Sequence, residues 1–168
     1  MFLQVADAVS HAHASLIAHR DLKPSNIFVI DEEHGGGVRL IDFGFAKFTR
    51  LRGFTKEHVI AGSPSYIAPE AWLNKRAVFD QRLDVYAMGA VIFRCLAGRP
   101  PFEASNLFGL LEAVTRGKRP SLHALRPDLP EGVDEWVKYA LSIEPEERFQ
   151  SAAALWNAFR SSVGLPTE

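Results

Sequence analysis

A strongly apolar segment over residues 81–96 constrains the fold more than any other feature of the chain. Its length and its end at Gly98, followed shortly by two prolines, predict a helix. The longest apolar run, over residues 85–97, is interrupted by Arg94 and is too short to cross a bilayer. We therefore expect a chain that is soluble by itself, while a parent protein could carry a membrane segment elsewhere.

The remaining sequence predicts a mainly α fold with one small β-hairpin. Apolar residues at three- and four-residue steps predict a first helix over residues 2–17. Further helices are expected over residues 70–74, 105–116, 131–142 and 151–162. Two short strands, 26–30 and 38–41, are separated by a turn that contains three glycines. Residues 42–69 show little periodicity, and a loop of that length in a compact domain is either functional or disordered.

Composition and charge exclude several classes of protein. The net charge of −1 gives no indication of a nucleic-acid partner or of binding to an anionic membrane surface. The single cysteine, Cys95, rules out an intrachain disulfide, and we expect it to pack as a small hydrophobe. No secretory signal is visible, so a cytoplasmic location is expected. The histidines other than His19 show no paired ligand pattern for zinc, and His11 and His13 would face different sides of a helix.

Three motifs follow one another along the chain in a fixed order. Residues 19–26 read H-R-D-L-K-P-S-N, residues 42–44 read D-F-G, and residues 62–70 read G-S-P-S-Y-I-A-P-E. This order resembles the eukaryotic-like Ser/Thr protein kinase family, with its H-R-D catalytic loop, its D-F-G metal motif and the A-P-E end of its activation segment. Asp84 and Arg148 match two further positions of the family, so the resemblance covers essentially the whole chain. The Ala-rich helix and the compact linkers look like those of bacterial members.

The resemblance implies that residues 1–168 form the C-terminal lobe of a protein kinase domain, with the catalytic loop at 19–26 and the activation segment at 42–70. The N-terminal lobe of the family carries a Gly-rich phosphate loop, a strand Lys and a helix Glu. None of these motifs occurs in the 168 residues, and the three glycines at 35–37 lack the G-x-G-x-x-G spacing. We expect an exposed apolar surface where the N-terminal lobe, or a partner in its place, would dock.

The expected function is that of a Ser/Thr protein kinase domain fragment. By resemblance, the parent protein transfers the γ-phosphoryl group of ATP, with Mg²⁺, to Ser or Thr hydroxyls of a protein substrate. The 168 residues alone are expected to be inactive, because ATP would lose the fixed cation and the exclusion of water that the other lobe provides. The alternative is a kinase-derived docking module in which catalysis plays no part.

Four polar residues carry the chemistry that the resemblance implies. Asp21 would orient or accept the proton of the substrate hydroxyl, and Lys23 would stabilise the charge on the transferring phosphoryl group. Asn26 and Asp42 would bind Mg²⁺ through oxygen ligands. Because Asn26 opens one strand and Asp42 follows the other, a hairpin would bring them to one edge. Lys23 and Ser63, which occupies a position where Thr is usual, imply specificity for Ser and Thr.

Further residues are expected to shape the site. By resemblance, Phe28 forms the floor under the adenine ring; the alternative is a plain strand residue buried against the helices. His19 and Phe43 match the hydrophobic spine of the family, and for His19 we expect a packed, hydrogen-bonded role and no acid–base role. Asp84 would accept hydrogen bonds from the backbone of the catalytic loop.

The resemblance also implies an ion pair and a regulatory contact. Glu70 and Arg148 would form a largely buried pair that ties the activation segment to the last helices. Arg20 would contact a phosphorylated residue of the activation segment, charge against charge. The candidates are Thr49 and Thr55, and Thr55 is preferred because it lies nearer the A-P-E end.

Overall fold

The computed structural model describes residues 1–43, 64–73 and 81–166. Over these ranges the chain forms seven α-helices and one antiparallel pair of strands, so the predicted mainly helical fold with a small hairpin is confirmed. In chain order the elements are α1 (Phe2–Ala14), β1 (Ile27–Val29), β2 (Val38–Leu40), α2 (Pro69–Trp72), α3 (Arg82–Ala97), α4 (Leu107–Arg116), α5 (Leu122–Leu125), α6 (Val133–Ala140) and α7 (Ala152–Ser162). The predicted boundaries differ from these by a few residues. The short helix α5 was not predicted, because so few residues show no helical period.

Helix α3 lies at the centre of the fold. Every residue from 83 to 93 is buried, and the helix contacts α5, α6 and α7. A helix that is apolar on all sides has to be covered on all sides. It ends at Gly98, whose backbone has the left-handed conformation (φ 75°) that favours glycine. Within the described ranges, no helix is both long and apolar enough to cross a membrane.

Near its C-terminal end, α3 is no longer fully buried, and this contradicts the expected burial of Cys95. Cys95 is exposed, so the prediction that it packs as a small hydrophobe was wrong. The physical reason is its place on the helix: the buried stretch stops at Phe93, and Arg94 beside it is already exposed. The apolar run in the sequence therefore extends beyond the buried part of the helix.

The crossing of α3 and α6 depends on small residues. A Cβ atom at Gly89 would lie 3.0 Å from the Cβ of Ala140 and 3.5 Å from Cδ2 of Leu141. Non-bonded carbon atoms are most stable at about 3.5–4.0 Å. The missing side chain at Gly89 therefore allows the two helices to approach more closely than alanine would permit.

Helix α7 holds the first helix against the C-terminal helices. It packs along α1, which buries Val5 and Val9 on one face. Next to it, Trp136 of α6 donates its indole N–H to the backbone carbonyl of Leu155 (3.0 Å). Because α1 leads directly into the loop at 19–26, that loop starts from an anchored helix.

The hairpin pairs β1 with β2 in an antiparallel register. Ile27 lies opposite Leu40, and Val29 lies opposite Val38. All three glycines at 35–37 in the turn have positive φ values of 95°, 62° and 89°, which explains why glycine occupies these positions. Strand β2 contacts α1, so the hairpin rests on the same helix that precedes the loop.

Candidate active site

The loop at 19–26 brings together three of the predicted site residues. Nζ of Lys23 lies 3.1 Å from Oδ2 of Asp21. Nδ2 of Asn26 donates to the backbone carbonyl of Asp21 (2.8 Å) and to its carboxylate Oδ2 (3.1 Å). The ammonium of Lys23 and the amide of Asn26 therefore both contact the Asp21 carboxylate and fix its orientation. The Oδ1 atom of Asn26, which is the atom able to bind a cation, takes no part in either contact.

The hairpin places Asp42 at the end where Asn26 lies. The amide of Ile41 donates to the backbone carbonyl of Asn26 (3.1 Å), and Asp42 is the next residue along the chain. Asp42 has a φ of 57°, a left-handed conformation that non-glycine residues adopt at a cost. The chain therefore turns sharply as it leaves β2, directly beside the start of β1.

Asp84, near the start of α3, binds the backbone of the loop at 19–26. Its carboxylate is fully buried; Oδ2 accepts the amide of His19 and Oδ1 accepts the amide of Arg20, each at 2.7 Å. Arg20 has a φ of 63° and is also in the left-handed region. Hydrogen bonds to an ionised acceptor are the stronger ones. Asp84 thus connects the central helix to the backbone one residue before Asp21.

His13 makes a contact with Asp84 that the sequence reasoning missed. Its Nε2 lies 2.8 Å from Oδ2 of Asp84, and its side chain is only 6% accessible. The sequence places His13 in the apolar period of the first helix and shows no metal-ligand pattern for it, but it indicates no partner. One signal was available: His13 follows Val5 and Val9 at four-residue steps, and residues at that spacing share one face of a helix.

His19 lies packed inside the site. It is 1% exposed, and its ring centroid lies 4.4 Å from that of Phe43. The amide of Asp21 donates to Nδ1 of His19 (3.3 Å), so this nitrogen acts as the acceptor. Burial lowers the pKa of His19 below its usual value, and the nearby carboxylates of Asp84 and Asp21 oppose that shift only in part. Burial thus favours the neutral imidazole, which joins the loop at 19–26 to the segment after β2 through its contact with Phe43.

The exposure of Phe28 contradicts one of its two predicted roles. It is 49% exposed, so the interpretation as a strand residue buried against the helices was wrong. In the hairpin register Phe28 lies opposite Arg39, whose side chain is also exposed. Val29 and Ile41 nearby are exposed as well, at 61% and 40%. The interpretation as an adenine contact stays a prediction.

Glu70 and Arg148 form a bidentate ion pair in the interior. Nη1 and Nη2 of Arg148 lie 2.7 and 2.6 Å from the two carboxylate oxygens of Glu70, and both side chains are almost inaccessible. Arg148 also donates to the backbone carbonyls of Ser142 (2.9 Å) and Ile143 (3.0 Å), and its guanidinium lies over the ring of Tyr86. The pair connects α2 with α3 and with the turn before α7.

Three predicted positions lie outside the described residues: Thr49, Thr55 and Ser63. The contact expected between Lys23 and Ser63 therefore stays a prediction. The same holds for the contact of Arg20 with a phosphorylated threonine.

Comparisons with known proteins agree on one family. The family model for the protein kinase domain matches residues 1–159. The chain is 33% identical over 165 residues to serine/threonine-protein kinase PknH of Mycobacterium bovis, covering 98% of this chain and 27% of PknH.

The crystal structure of the PknI kinase domain of Mycobacterium tuberculosis has a TM-score of 0.67 and 31% identity, over 96% of this chain and 53% of that one. Rad53 residues 1–466 in complex with AMP-PNP also reach a TM-score of 0.67, with 26% identity over 92% of this chain and 37% of that one. The chain thus spans about a quarter of the length of PknH.

Proposed function

We propose a function from the premise that this chain belongs to the protein kinase domain family, as the match over residues 1–159 shows. The kinase-like fold expected from the resemblance is confirmed by the likeness to the PknI domain, and the relatives identify a Ser/Thr-type kinase domain. We assign residues 1–168 to the C-terminal lobe, with its catalytic loop at 19–26 and its activation segment at 42–70. In this proposal the lobe serves the transfer of a γ-phosphoryl group from ATP to Ser or Thr hydroxyls of a protein.

The observation that carries the proposal is the convergence of Asp21, Lys23 and Asn26 beside the end of the hairpin that bears Asp42. Phosphoryl transfer needs positioning and charge neutralisation more than covalent chemistry from the protein. In our scheme the substrate hydroxyl oxygen bonds to the γ-phosphorus, the bond to the β,γ-bridging oxygen breaks, and Asp21 takes the hydroxyl proton. Lys23, already 3.1 Å from Asp21, places its positive charge beside the transferring group.

The donor set at the hairpin end fits Mg²⁺. Asn26 offers Oδ1 and Asp42 offers a carboxylate, and both are hard oxygen ligands of the kind that Mg²⁺ prefers together with phosphates and water. When bound, the ion would neutralise charge on the phosphates. ATP as the nucleotide is supported by family membership and by Rad53, whose structure holds the ATP analogue AMP-PNP. The exposed ring of Phe28 is the surface we assign to the adenine.

The 168 residues are not sufficient for catalysis in this proposal. They contain no Gly-rich phosphate loop and no strand lysine ahead of the catalytic loop, so a small lobe has to supply both. The exposed side chains of Phe28, Val29 and Ile41 give that lobe an apolar surface to cover. A cytoplasmic location, where ATP and protein substrates are available, remains part of the proposal.

The first test measures phosphate transfer to a generic protein substrate. The 168-residue chain alone should give no more product than its Asp21→Asn variant. Fused behind the small lobe of the PknI kinase domain, the chain should phosphorylate Ser or Thr, and Asp21→Asn should reduce the rate by at least about a hundredfold, because the proton acceptor is lost. Equal rates for the fused chain and its Asp21→Asn variant would favour the docking module, the second candidate function.

The second test uses the chain alone and does not depend on a working fusion. Adding Mg²⁺ and AMP-PNP should shift the backbone NMR signals of Asn26, Phe28 and Asp42. The Asp42→Asn variant should lose the part of the shift that needs Mg²⁺, because the anionic ligand is gone. No shift at these three residues at millimolar nucleotide would contradict the nucleotide site.

A further inference from the structure

A cleft of about 470 Å³ lies where the chain after α1 meets the start of α3. Its lining comes from two parts of the chain: Leu16, Ile17 and Arg20 follow α1, whereas Arg82 opens α3 and Gln150 belongs to the turn before α7. The lining includes none of the residues assigned above to ATP, Mg²⁺ or proton transfer. We propose that this cleft docks an acidic peptide segment of a partner protein, and that a leucine of the segment covers Leu16.

Leu16 supplies the first argument for a partner at the cleft. It is 96% exposed, and its φ of 59° lies in the left-handed region that glycine adopts without steric cost. The turn that presents it is ordered, because the amides of Leu16 and Ile17 donate to the carbonyls of His13 and Ala12, each at 2.9 Å. A leucine so exposed gains almost nothing from packing in the folded chain. Burial against another molecule would offset the cost of its backbone conformation.

The charges of the cleft favour an acidic partner. Arg20 and Arg82 carry permanent positive charges, and no carboxylate occurs among the described lining residues. Arg82 is held in place: its Nη1 donates to Oε1 of Gln150 (3.3 Å), and its Nη2 lies 3.4 Å from Oε1 of Glu146. The side chain of Glu146 is 68% accessible, so water weakens this pair and further carboxylates can approach the guanidinium. Complementary charge of this kind sets which partner binds.

The apolar and the cationic parts of the cleft together point to a peptide. An inorganic anion bound to the arginines would leave Leu16 and Ile17 exposed, at 96% and 38%. A peptide segment with an acidic residue next to a leucine covers both parts. Because hydrogen bonds already fix the turn after α1 and the side chain of Arg82, binding requires little further ordering of the chain. This docking role goes beyond the proposed function and needs neither ATP nor a phosphate acceptor.

NMR titration of the 168-residue chain with three synthetic peptides tests the proposal. The peptides are built from the repeats Leu-Glu-Glu, Ser-Glu-Glu and Leu-Lys-Lys. The Leu-Glu-Glu peptide should shift the backbone signals of Leu16, Ile17, Arg82 and Gln150. It should bind at least about tenfold more tightly than either of the other two, because only it offers both the apolar and the acidic contact.

Two variants of the chain separate the two contacts. Leu16→Gly should weaken binding of the Leu-Glu-Glu peptide about tenfold without unfolding the chain, because glycine adopts the left-handed conformation freely. Arg82→Gln should weaken it about fivefold, because one cationic contact is lost. Phe108→Ala and Arg116→Gln are the matched controls: both residues are exposed on α4, which contributes no residue to the cleft, and affinity should not change.

Several results would overturn the proposal. The first is no shift of the cleft signals at millimolar Leu-Glu-Glu peptide, and the second is equal affinity of Leu16→Gly and the wild-type chain. Equal shifts with Ser-Glu-Glu or with sodium acetate would identify a site for any carboxylate. Shifts of Leu16 that follow the concentration of the chain alone would identify a second copy as the occupant. If Arg82→Gln does not fold, Leu16→Gly and the three peptides still decide, and no readout depends on phosphoryl transfer.

Discussion

Two regions of the molecule differ in how far their charged side chains are exposed to solvent. The catalytic edge, which we define as residues 19–26 with Asp42 and Phe43, keeps Lys23 and Asp21 partly accessible, at 15% and 18% of their side chains. The helical base, which we define as α2, α3, α6, α7 and Arg148, buries its ion pair almost completely. The two groups proposed to act on the substrate, Asp21 and Lys23, are therefore partly accessible, whereas the ion pair of the base is not; His19 and Asn26 of the edge are buried as well.

The backbone shows the same contrast. Arg20 and Asp42 in the catalytic edge have left-handed conformations, whereas α3 in the helical base ends in that conformation only at a glycine, Gly98. Unfavourable backbone conformations concentrate at sites where function requires them and where a rigid support maintains them. For Arg20 this support is Asp84, which belongs to the base and accepts the amides of His19 and Arg20. The two regions should therefore respond differently to substitution.

The largest expected effect separates the two regions by stability. Arg148→Ala should lower the free energy of unfolding by about 3–5 kcal/mol, because the buried Glu70 carboxylate would lose its partner. Lys23→Ala should cost less than about 1 kcal/mol, because its contact with Asp21 is partly solvated. Urea unfolding of both variants measures the difference. Similar unfolding midpoints for the two variants would contradict the division into edge and base.

A smaller effect is expected at the crossing of α3 and α6. Gly89→Ala should cost about 1–3 kcal/mol, because the new methyl group would meet Ala140 at 3.0 Å. Gly132→Ala is the matched control: its new methyl group would find no atom closer than 3.9 Å and should change stability by less than about 1 kcal/mol. Thermal unfolding of the pair tests whether the base is as tightly packed as the distances indicate. A Gly89→Ala variant as stable as Gly132→Ala would show that the helices can separate at little cost.

The smallest expected effect concerns pH and the catalytic edge. Burial lowers the pKa of His19 in the folded chain, whereas in the unfolded chain it lies near the usual value of about 6.5. As the pH falls, His19 is therefore protonated in the unfolded chain at a higher pH than in the folded chain. The contribution of neutral His19 to the free energy of unfolding is full above about pH 6.5, and it is lost as the pH falls through that value towards the lower folded pKa.

A variant without this titration shows whether His19 is the cause. His19→Phe keeps an aromatic ring against Phe43, and its stability should fall less between pH 7.5 and pH 5.5 than that of the wild-type chain. Only the two pH slopes are compared, because the variant also loses the hydrogen bond from the Asp21 amide. The other histidines are common to both chains. Identical slopes would show that His19 does not contribute to the pH dependence.

Much of the fold could be predicted because its signals are local. The apolar period of α1, the glycine at the end of α3 and the three glycines of the hairpin turn each act within a few residues. Cys95 was placed wrongly, because an apolar run does not reveal where a helix leaves the core. The short helix α5 was missed because its four residues give no period.

The candidate site was predictable only as far as its motifs extend. The order of the three motifs indicated Asp21, Lys23, Asn26 and Asp42, and the helical period placed His13 on the apolar face of α1 without indicating its partner. Its partner Asp84 is 71 positions away in the sequence, and such a contact leaves no local signal. The exposure of Phe28 was equally undetermined, because both faces of a short strand can be apolar without both being covered.

The sequence by itself determined which family the chain belongs to, which elements it forms and which residue types are available for chemistry. It does so because turns, helix ends and motifs are set by neighbours along the chain. Only the tertiary structure decided that His13 contacts Asp84; the contact of Asp84 with the loop and the buried pair of Glu70 and Arg148 were implied by the resemblance, and the structure supplies their geometry. These contacts depend on how separate helices pack, and packing is a property of the whole core, not of any short segment.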